Sequence, residues 1–462
     1  MRLLLGLLGL VLTAPLLAQD SAQRRLERDI FRELIEVNTS DSAGNTPILS
    51  AKIADRLKAA GFDAADIAVV GHSPRYHNVV ARLRGRPSGK KPILLMAHLD
   101  VVDARREDWS FEPYQFRELE GYYYGRGTSD NKAGASVLIA NFVRLKKEGY
   151  QPDRDLIMVL TADEETSGDA IKWLVQQRRD LVDAEYALNT DAGGGAYQNG
   201  KPLAFAVQAS EKMFLTYLFE VRNKGGHSSL PVPDNAIYRL SRALDRLGRF
   251  TFPVRLNEVS RGYFLKSAEA EKGQTAADMR ALALRGDPVA ARRLSAQSPY
   301  FNSVMRTTCV ATRLYGGHAD NALPQLARAV VNCRLAPDDP PDSVRATLRR
   351  VVADTAITIQ QQEPPVPSPP SPLRPDVLKP IEALVQATWP GIPVIPEMST
   401  GATDGLHVRN AGIPVYGVSA IFEELNDTRA HGRDERVGVK EFHAASTFWY
   451  QMLKALTSPP KA

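Results

Sequence analysis

The chain has 462 residues, 44% of them hydrophobic, with 58 Lys and Arg against 53 Asp and Glu. That length is enough to bury more than one core, and two domains are expected. The formal net charge of +5 is modest for the size and comes without a basic run or aromatic-basic alternation, which argues against nucleic acid as a partner.

Met1-Arg2 followed by the apolar run Leu3 to Leu17 has the positive start and short greasy core of a secretory leader. Ala14 and Ala18 offer cleavage sites, so residues 1–18 are expected to be removed. The mature chain would begin near Gln19, secreted or periplasmic, with no stable membrane insertion. In an oxidising compartment Cys309 and Cys333 either pair or stay as two buried thiols, and sequence leaves both open.

Apolar residues at helical spacing (Ile30, Phe31, Leu34, Ile35, then Ile48, Ile53, Leu57) predict two amphipathic helices before Gly61. Short apolar runs of the buried-strand type follow at Asn78 to Leu83, Ile93 to Ala97, Leu156 to Thr161 and Tyr186 to Asn189. Helical segments at Lys132 to Glu148 and Gly168 to Leu181 alternate with them, which makes this half an α/β sheet with helices on its faces. From about Phe205 to Gln362 the pattern changes to strand, helix, two strands (Val304 to Tyr315 and Ala327 to Leu335), helix and strand, an α+β order. A polar, alanine-rich helical insert occupies about Asn257 to Gln297. The proline-rich stretch Pro364 to Pro372 reads as a stiff linker returning the chain to the first domain. The boundaries are therefore 19–204 and 363–462 for one domain and 205–362 for a second inserted into it.

Five segments at predicted strand ends or in loops supply metal-type ligands without a zinc-finger cysteine pattern. His98 and Asp100 leave one strand end two residues apart, on the same side. Asp130 stands near a helix start after Gly125 and Gly127, where a plain helix cap is the other reading. Asp163-Glu164-Glu165 ends a strand that reads as fully buried. One such carboxylate can hold a metal while its neighbour takes a proton from water, and a solvated acidic turn is the alternative. Asp191 follows the run Tyr186 to Asn189, and His431 lies in a polar loop.

The strings HLDVV, the spaced Trp109 and Pro113, YGRGTSDNKAG, ADEETSG, GGHSSLP and HGRDE occur in one order over nearly the whole mature chain. In this the chain resembles the two-zinc family of glutamate carboxypeptidase, aminoacylase, acetylornithine deacetylase and succinyl-diaminopimelate desuccinylase. RTTCVAT, NALPQLARAVVNCRLAP and GATDG make it most similar to the carboxypeptidase S branch. The resemblance implies a metallopeptidase catalytic domain of α/β class, a central mixed sheet flanked by helices, with an inserted α+β ferredoxin-like lid through which homodimers form. Two zinc ions are implied, with manganese or cobalt suited to the same ligands. His98 and Asp191 would hold one, Glu165 and His431 the other, with Asp130 bridging, Glu164 as general base and Asp100 accepting the second ring proton of His98. His227 would stabilise the oxyanion. Asn321, Arg334, Gly401 and Gly405 would meet the substrate carboxylate, with a turn as the other reading of Asn321 and a structural ion pair that of Arg334. The implied activity is hydrolysis of the amide bond of a small peptide or N-acyl amino acid next to a free carboxylate. The alternatives are an aminopeptidase-like enzyme and a catalytically silent, metal-stabilised binding protein. His72, His77, His318, His407 and His443 match no ligand position.

Overall fold

A computed structural model describes residues 13–458, with side chains from Ser21 onward. The expected leader, 1–18, falls outside these apart from the backbone of 13–18. Among the described residues no helix is long and apolar enough to cross a membrane.

The chain forms two compact units. The first takes the described residues up to Val207, Arg374–Val394 and those from His407 on; the second takes Gln208–Leu373 and Ile395–Leu406. Two expectations are corrected here. Ile395–Leu406, assigned by sequence to the returning domain, packs in the second unit. The proline-rich stretch is not a free linker: it also belongs to the second unit, with Ser368 and Ser371 buried and the Ser371 N–H bonded to the Ala209 carbonyl at 2.7 Å.

In the first unit, strands Ile93–His98, Leu156–Thr161, Tyr186–Asn189 and Val415–Gly417 run parallel, and Ile67–Ser73 and Tyr76–Leu83 extend the sheet antiparallel at one edge. The central strands are buried at every position because both sheet faces are covered. Leu94, Met96, Ile157 and Val159 point to one side, against Ile171, Leu174 and Val408. Helix Lys132–Lys147 covers the opposite side and is itself packed by the closing helix Val439–Thr457. The predicted helix Gly168 to Leu181 is two helices, Asp169–Gln177 and Arg179–Val182, broken where Arg178 leaves helical φ/ψ. The parallel strands bring their C-terminal ends, at His98, Thr161 and Asn189, to one edge, and such edges are where ligands gather in α/β sheets.

In the second unit, strands Thr308–Gly316, Leu326–Leu335, Met213–Arg222 and Ile357–Gln361 form an antiparallel sheet in that order. Leu215, Tyr217, Phe219 and Val221 alternate inward, beneath helices Ala236–Arg249 and Pro341–Val352. The expected strand from Val304 begins only at Thr308. Ser298 caps the backbone of Tyr300 and Phe301, Pro299 opens a helix, and Val304 closes it. The alanine-rich insert is the three helices Glu258–Ala270, Gly273–Arg285 and Pro288–Gln297. Cys309 and Cys333 stand opposite each other on neighbouring strands and are joined as a disulfide.

Candidate metal centre

Strand ends and two loops of the first unit bring five side chains into two groups that share Asp130: His98, Asp130 and Asp191, and Asp130, Glu165 and His431. Within each group the ligand atoms lie within 4.8 Å of one another. His98 Nε2 is 2.8 Å from Asp130 Oδ1 and 3.5 Å from Asp191 Oδ1. His431 Nε2 is 3.1 Å from Asp130 Oδ2 and 3.0 Å from Glu165 Oε1. One carboxylate thus offers an oxygen to each group.

The electrostatics are those of carboxylates and imidazoles crowded together. Burial pushes Asp191 up to about 7, with His98 pulling the other way. Asp130 is held well below the usual carboxylate range: burial opposes ionisation, but hydrogen bonds from His431 and His98 prevail. Hydrogen bonds to Asp130 and Glu165 push His431 up to about 10. Burial disfavours the charged form of His98, yet Asp191, Asp100 and Asp130 raise its pKa well above the ordinary value. Two imidazoles and three carboxylates are borderline and hard donors that suit zinc, manganese or cobalt, and their mutual repulsion would be relieved by divalent charge. The residues therefore fit a metal pair.

The surrounding contacts show how each group is held. Asp100 departs from its expected role. The His98 Nδ1 proton goes to the Asp100 backbone carbonyl at 3.0 Å, whereas the Asp100 carboxylate is 3.6 Å away, beyond hydrogen-bond reach. That carboxylate accepts the backbone N–H groups of Glu164 (3.1 Å) and Glu165 (2.9 Å) and so holds the acidic turn in place. Asp163 is fully buried and accepts from Ser167 Oγ and Ala170 N, anchoring the helix that follows. The solvated-turn reading thus fails at its first carboxylate.

Sequence reasoning missed Glu435 and Arg126, although both lie inside the quoted strings. Glu435 is buried and accepts the N–H groups of Gly127 (3.2 Å), Ser129 (2.7 Å) and Asp130 (3.0 Å), together with Arg126 Nη1. Arg126 Nη2 also reaches the carbonyls of His431 and Gly432. This pair ties the Asp130 loop to the His431 loop. Ser129 Oγ donates to Glu423 at 2.6 Å, a second contact that no motif signalled.

The remaining expected residues lie in the second unit. His227 is exposed and pairs in a short ladder with Ala322, and its Nδ1 accepts from Ser229 N at 3.2 Å. Asn321 occupies a turn, its carbonyl accepting from Ser228 N at 3.0 Å. Arg334 makes no ion pair among the described residues, against the structural reading. Its guanidinium lies 4.7 Å over the Phe214 ring, and burial lowers its pKa. A Cβ on Gly401 would meet nothing nearer than 3.9 Å, so its immediate surroundings leave room for a side chain. The Gly405 N–H is taken by Thr403 Oγ1 at 3.0 Å. Of the histidines set aside, His443 is bound to Glu27 at 2.5 Å and His407 is lowered by burial.

Comparison with known proteins agrees with this geometry. N-fatty-acyl-amino acid synthase/hydrolase PM20D1 of Mus musculus is 27% identical over 397 residues, which cover 82% of this chain and 78% of that one. The probable carboxypeptidase S-like 2 of Dictyostelium discoideum is 25% identical over 388 residues, covering 82% and 74%. The M20 family metallo-carboxypeptidase Sso-CP2 of Sulfolobus solfataricus superposes with a TM-score of 0.69 at 18% identity, over 93% of this chain and 98% of that one. The model of peptidase family M20/M25/M40 matches residues 94–455, from the strand that delivers His98 to the closing helix behind His431, and the chain belongs to that family.

Proposed function

We propose that the chain is a two-zinc hydrolase that cleaves the amide bond of a small peptide or N-acyl amino acid beside a free carboxylate. The observation that carries this reading is the sharing of Asp130 between two ligand groups, each with one imidazole and one further carboxylate. His98 and Asp191 would hold one ion, Glu165 and His431 the other, and Asp130 both. When bound, the pair acidifies a water and polarises the scissile carbonyl.

The chain's own residues do the rest. Glu164, beside Glu165 on a turn clamped by Asp100, takes the proton from the attacking water and returns it to the leaving amine. His227 is assigned to the oxyanion. With Nδ1 accepting from Ser229 N, the neutral ring carries its proton on Nε2, the form that donates. Arg334, a cation with no carboxylate of its own, is assigned to the substrate carboxylate with Asn321 and the Gly401–Gly405 loop. The names of the relatives support both substrate classes, a fatty-acyl amino acid and a carboxypeptidase substrate.

Export after leader removal is supported by the N-terminal sequence and the disulfide, and N-terminal sequencing of exported protein tests it. Exposed Val310, Leu314 and Tyr315 on the edge strand support self-association through the second unit, which light scattering tests.

The test of the central reading is metal content and hydrolysis of N-acyl amino acids and dipeptides, in the parent and in Glu164→Ala. Two metals in both proteins with turnover only in the parent is the expected result. A folded, metal-replete parent that retains no metal would overturn it. Blocking the substrate carboxylate should abolish turnover and blocking its amine should not; the reverse pattern would favour the aminopeptidase reading.

A further inference from the structure

The second unit holds a cleft of about 470 Å³ between the C-terminal end of helix Ala236–Arg249 and the start of the edge strand Thr308–Gly316. Every lining residue belongs to that unit. Leu244, Leu247, Phe250, Phe252 and Val310 form the apolar half of its wall. The other half is polar, with Arg306 as its one charged residue beside Thr307, Thr308, Thr251 and Asn302.

Arg306 is only 7% exposed, yet no carboxylate pairs with it among the described residues. Its Nη1 donates to the Phe252 carbonyl at 2.9 Å and its Nη2 to Ser295 Oγ at 3.3 Å, and its Nε has no partner. Lys212 stands behind Thr308, with Nζ 3.4 Å from Thr308 Oγ1 and 3.3 Å from Ser303 Oγ. Lys212 is fully buried and also lacks a carboxylate partner. The acid whose charge reaches Lys212 is Asp339, and it is already bound by Arg255 at 2.6 Å and by the Thr307 hydroxyl. A buried guanidinium therefore lines one wall of the cleft without a counter-charge among the described residues, and behind it stands a buried lysine whose charged form burial disfavours. Such cations are costly unless paired.

We propose that this cleft binds an aliphatic monocarboxylate, its chain against the Leu and Phe wall and its anion toward Arg306 and Thr308. The charge calls for an anion and the wall for an apolar tail, and a ligand with only one of the two leaves half the cleft unmatched. The cleft volume lies within the range of small-molecule sites, roughly 300–1,000 Å³. This goes beyond the hydrolase reading and does not depend on it.

The experiment is calorimetric titration of the full chain with decanoate below its aggregation concentration, with 1-decanol and acetate as tail-only and anion-only probes. Gly248, at the end of the helix, lines the cleft, and a Cβ built on it meets nothing within 4 Å, so Gly248→Phe adds bulk at the cleft with room for its Cβ. Arg306→Gln removes the charge. The expected result is saturable binding of decanoate by the parent, at least about tenfold weaker binding of either half-probe, and a similar loss in both variants. Equal binding by the parent and Gly248→Phe, binding of 1-decanol as tight as decanoate, or no saturable heat in the parent would each overturn the proposal. Should Arg306→Gln fail to fold, Gly248→Phe decides alone. The readout is heat rather than turnover, so a negative result here leaves the hydrolase reading standing, and loss of that reading leaves this one testable.

Discussion

Replacing Asp100 by Asn separates two accounts of how the metal centre is held. The carboxylate accepts the N–H groups of both Glu164 and Glu165, at 3.1 and 2.9 Å, while the His98 ring proton goes to the Asp100 backbone carbonyl, which the substitution keeps. The amide of Asn retains one acceptor and turns an NH₂ toward the other N–H. The lost bond to a charged acceptor is worth about 1.5–3 kcal/mol. If that loss is felt in the transition state, where the turn must present the Glu164 carboxylate, kcat falls by roughly 10–100-fold. Metal content, kcat and KM are measured on an N-acyl amino acid. The expected outcome is a lowered kcat with KM little changed, and metal lost first from the position held by Glu165 and His431. Combining the change with His431→Ala should then lower the stoichiometry no further. Parental kcat and metal content, or first loss at the His98 position, would refute the clamp and restore the carboxylate as the orienting partner of His98.

Glu435→Gln should cost about 3–5 kcal/mol, because the amide keeps one oxygen and turns an NH₂ toward either the Ser129 and Asp130 N–H groups or Gly127 N–H and Arg126, and it removes the charge that pairs with Arg126; urea denaturation checks this, and parental stability would contradict it. Metal uptake should release protons, because hydrogen bonds to Asp130 and Glu165 hold His431 up near 10. Calorimetry in buffers of different ionisation enthalpy measures that release, and apparent affinity should therefore rise with pH. Burial lowers Lys212 from 10.5 to about 7, so between those values the unfolded chain binds the extra proton and the folded chain does not. Parent stability should rise with pH across that window, by up to about 5 kcal/mol, with the full cost present below pH 7. In Lys212→Met the slope should flatten and stability at pH 6.5 increase. Reducing the disulfide, with 24 residues of sequence separation, should destabilise by about 3.5 kcal/mol on chain-entropy grounds, read as a lower urea midpoint.

The strands that deliver the cluster were legible because each is a short apolar run buried on both faces, and Leu156–Thr161 and Tyr186–Asn189 have the boundaries that the runs suggest. The five ligand-type side chains were legible because each stands at the end of such a run or in a motif string. The helix Pro299–Val304 was not, because an apolar Val304-Met305 before a strand looks like strand, and only the Ser298 cap and Pro299 tell otherwise. The Asp100 clamp was hidden for a different reason. A carboxylate two residues from a metal-type histidine has two plausible acceptor tasks, and choosing between them needs the register of Leu156–Thr161 against Ile93–His98, which sets Thr161 beside His98. Glu435 was hidden because its partners are backbone amides, which carry no residue-type signal.

The treatment of buried charge distinguishes places the chain completes by itself from places it leaves for a ligand. Glu435 is fully buried and has Arg126 against it, and Asp339 has Arg255. Those pairs are closed, and neither needs anything from outside. Asp130, Asp191 and Glu165 crowd together with no lysine or arginine in ion-pair range among the described residues; their partners are two imidazoles that can exchange protons for metal. Arg306 and Lys212 show the opposite imbalance, two buried basic groups with no acid of their own among the described residues. Since a chain that can close one buried ion pair with an arginine can close others, the open clusters mark the sign of what is missing: cations in the first unit and an anion in the second. The two tests are independent, because chelation should change the pH dependence of the first cluster and leave decanoate binding at the second untouched.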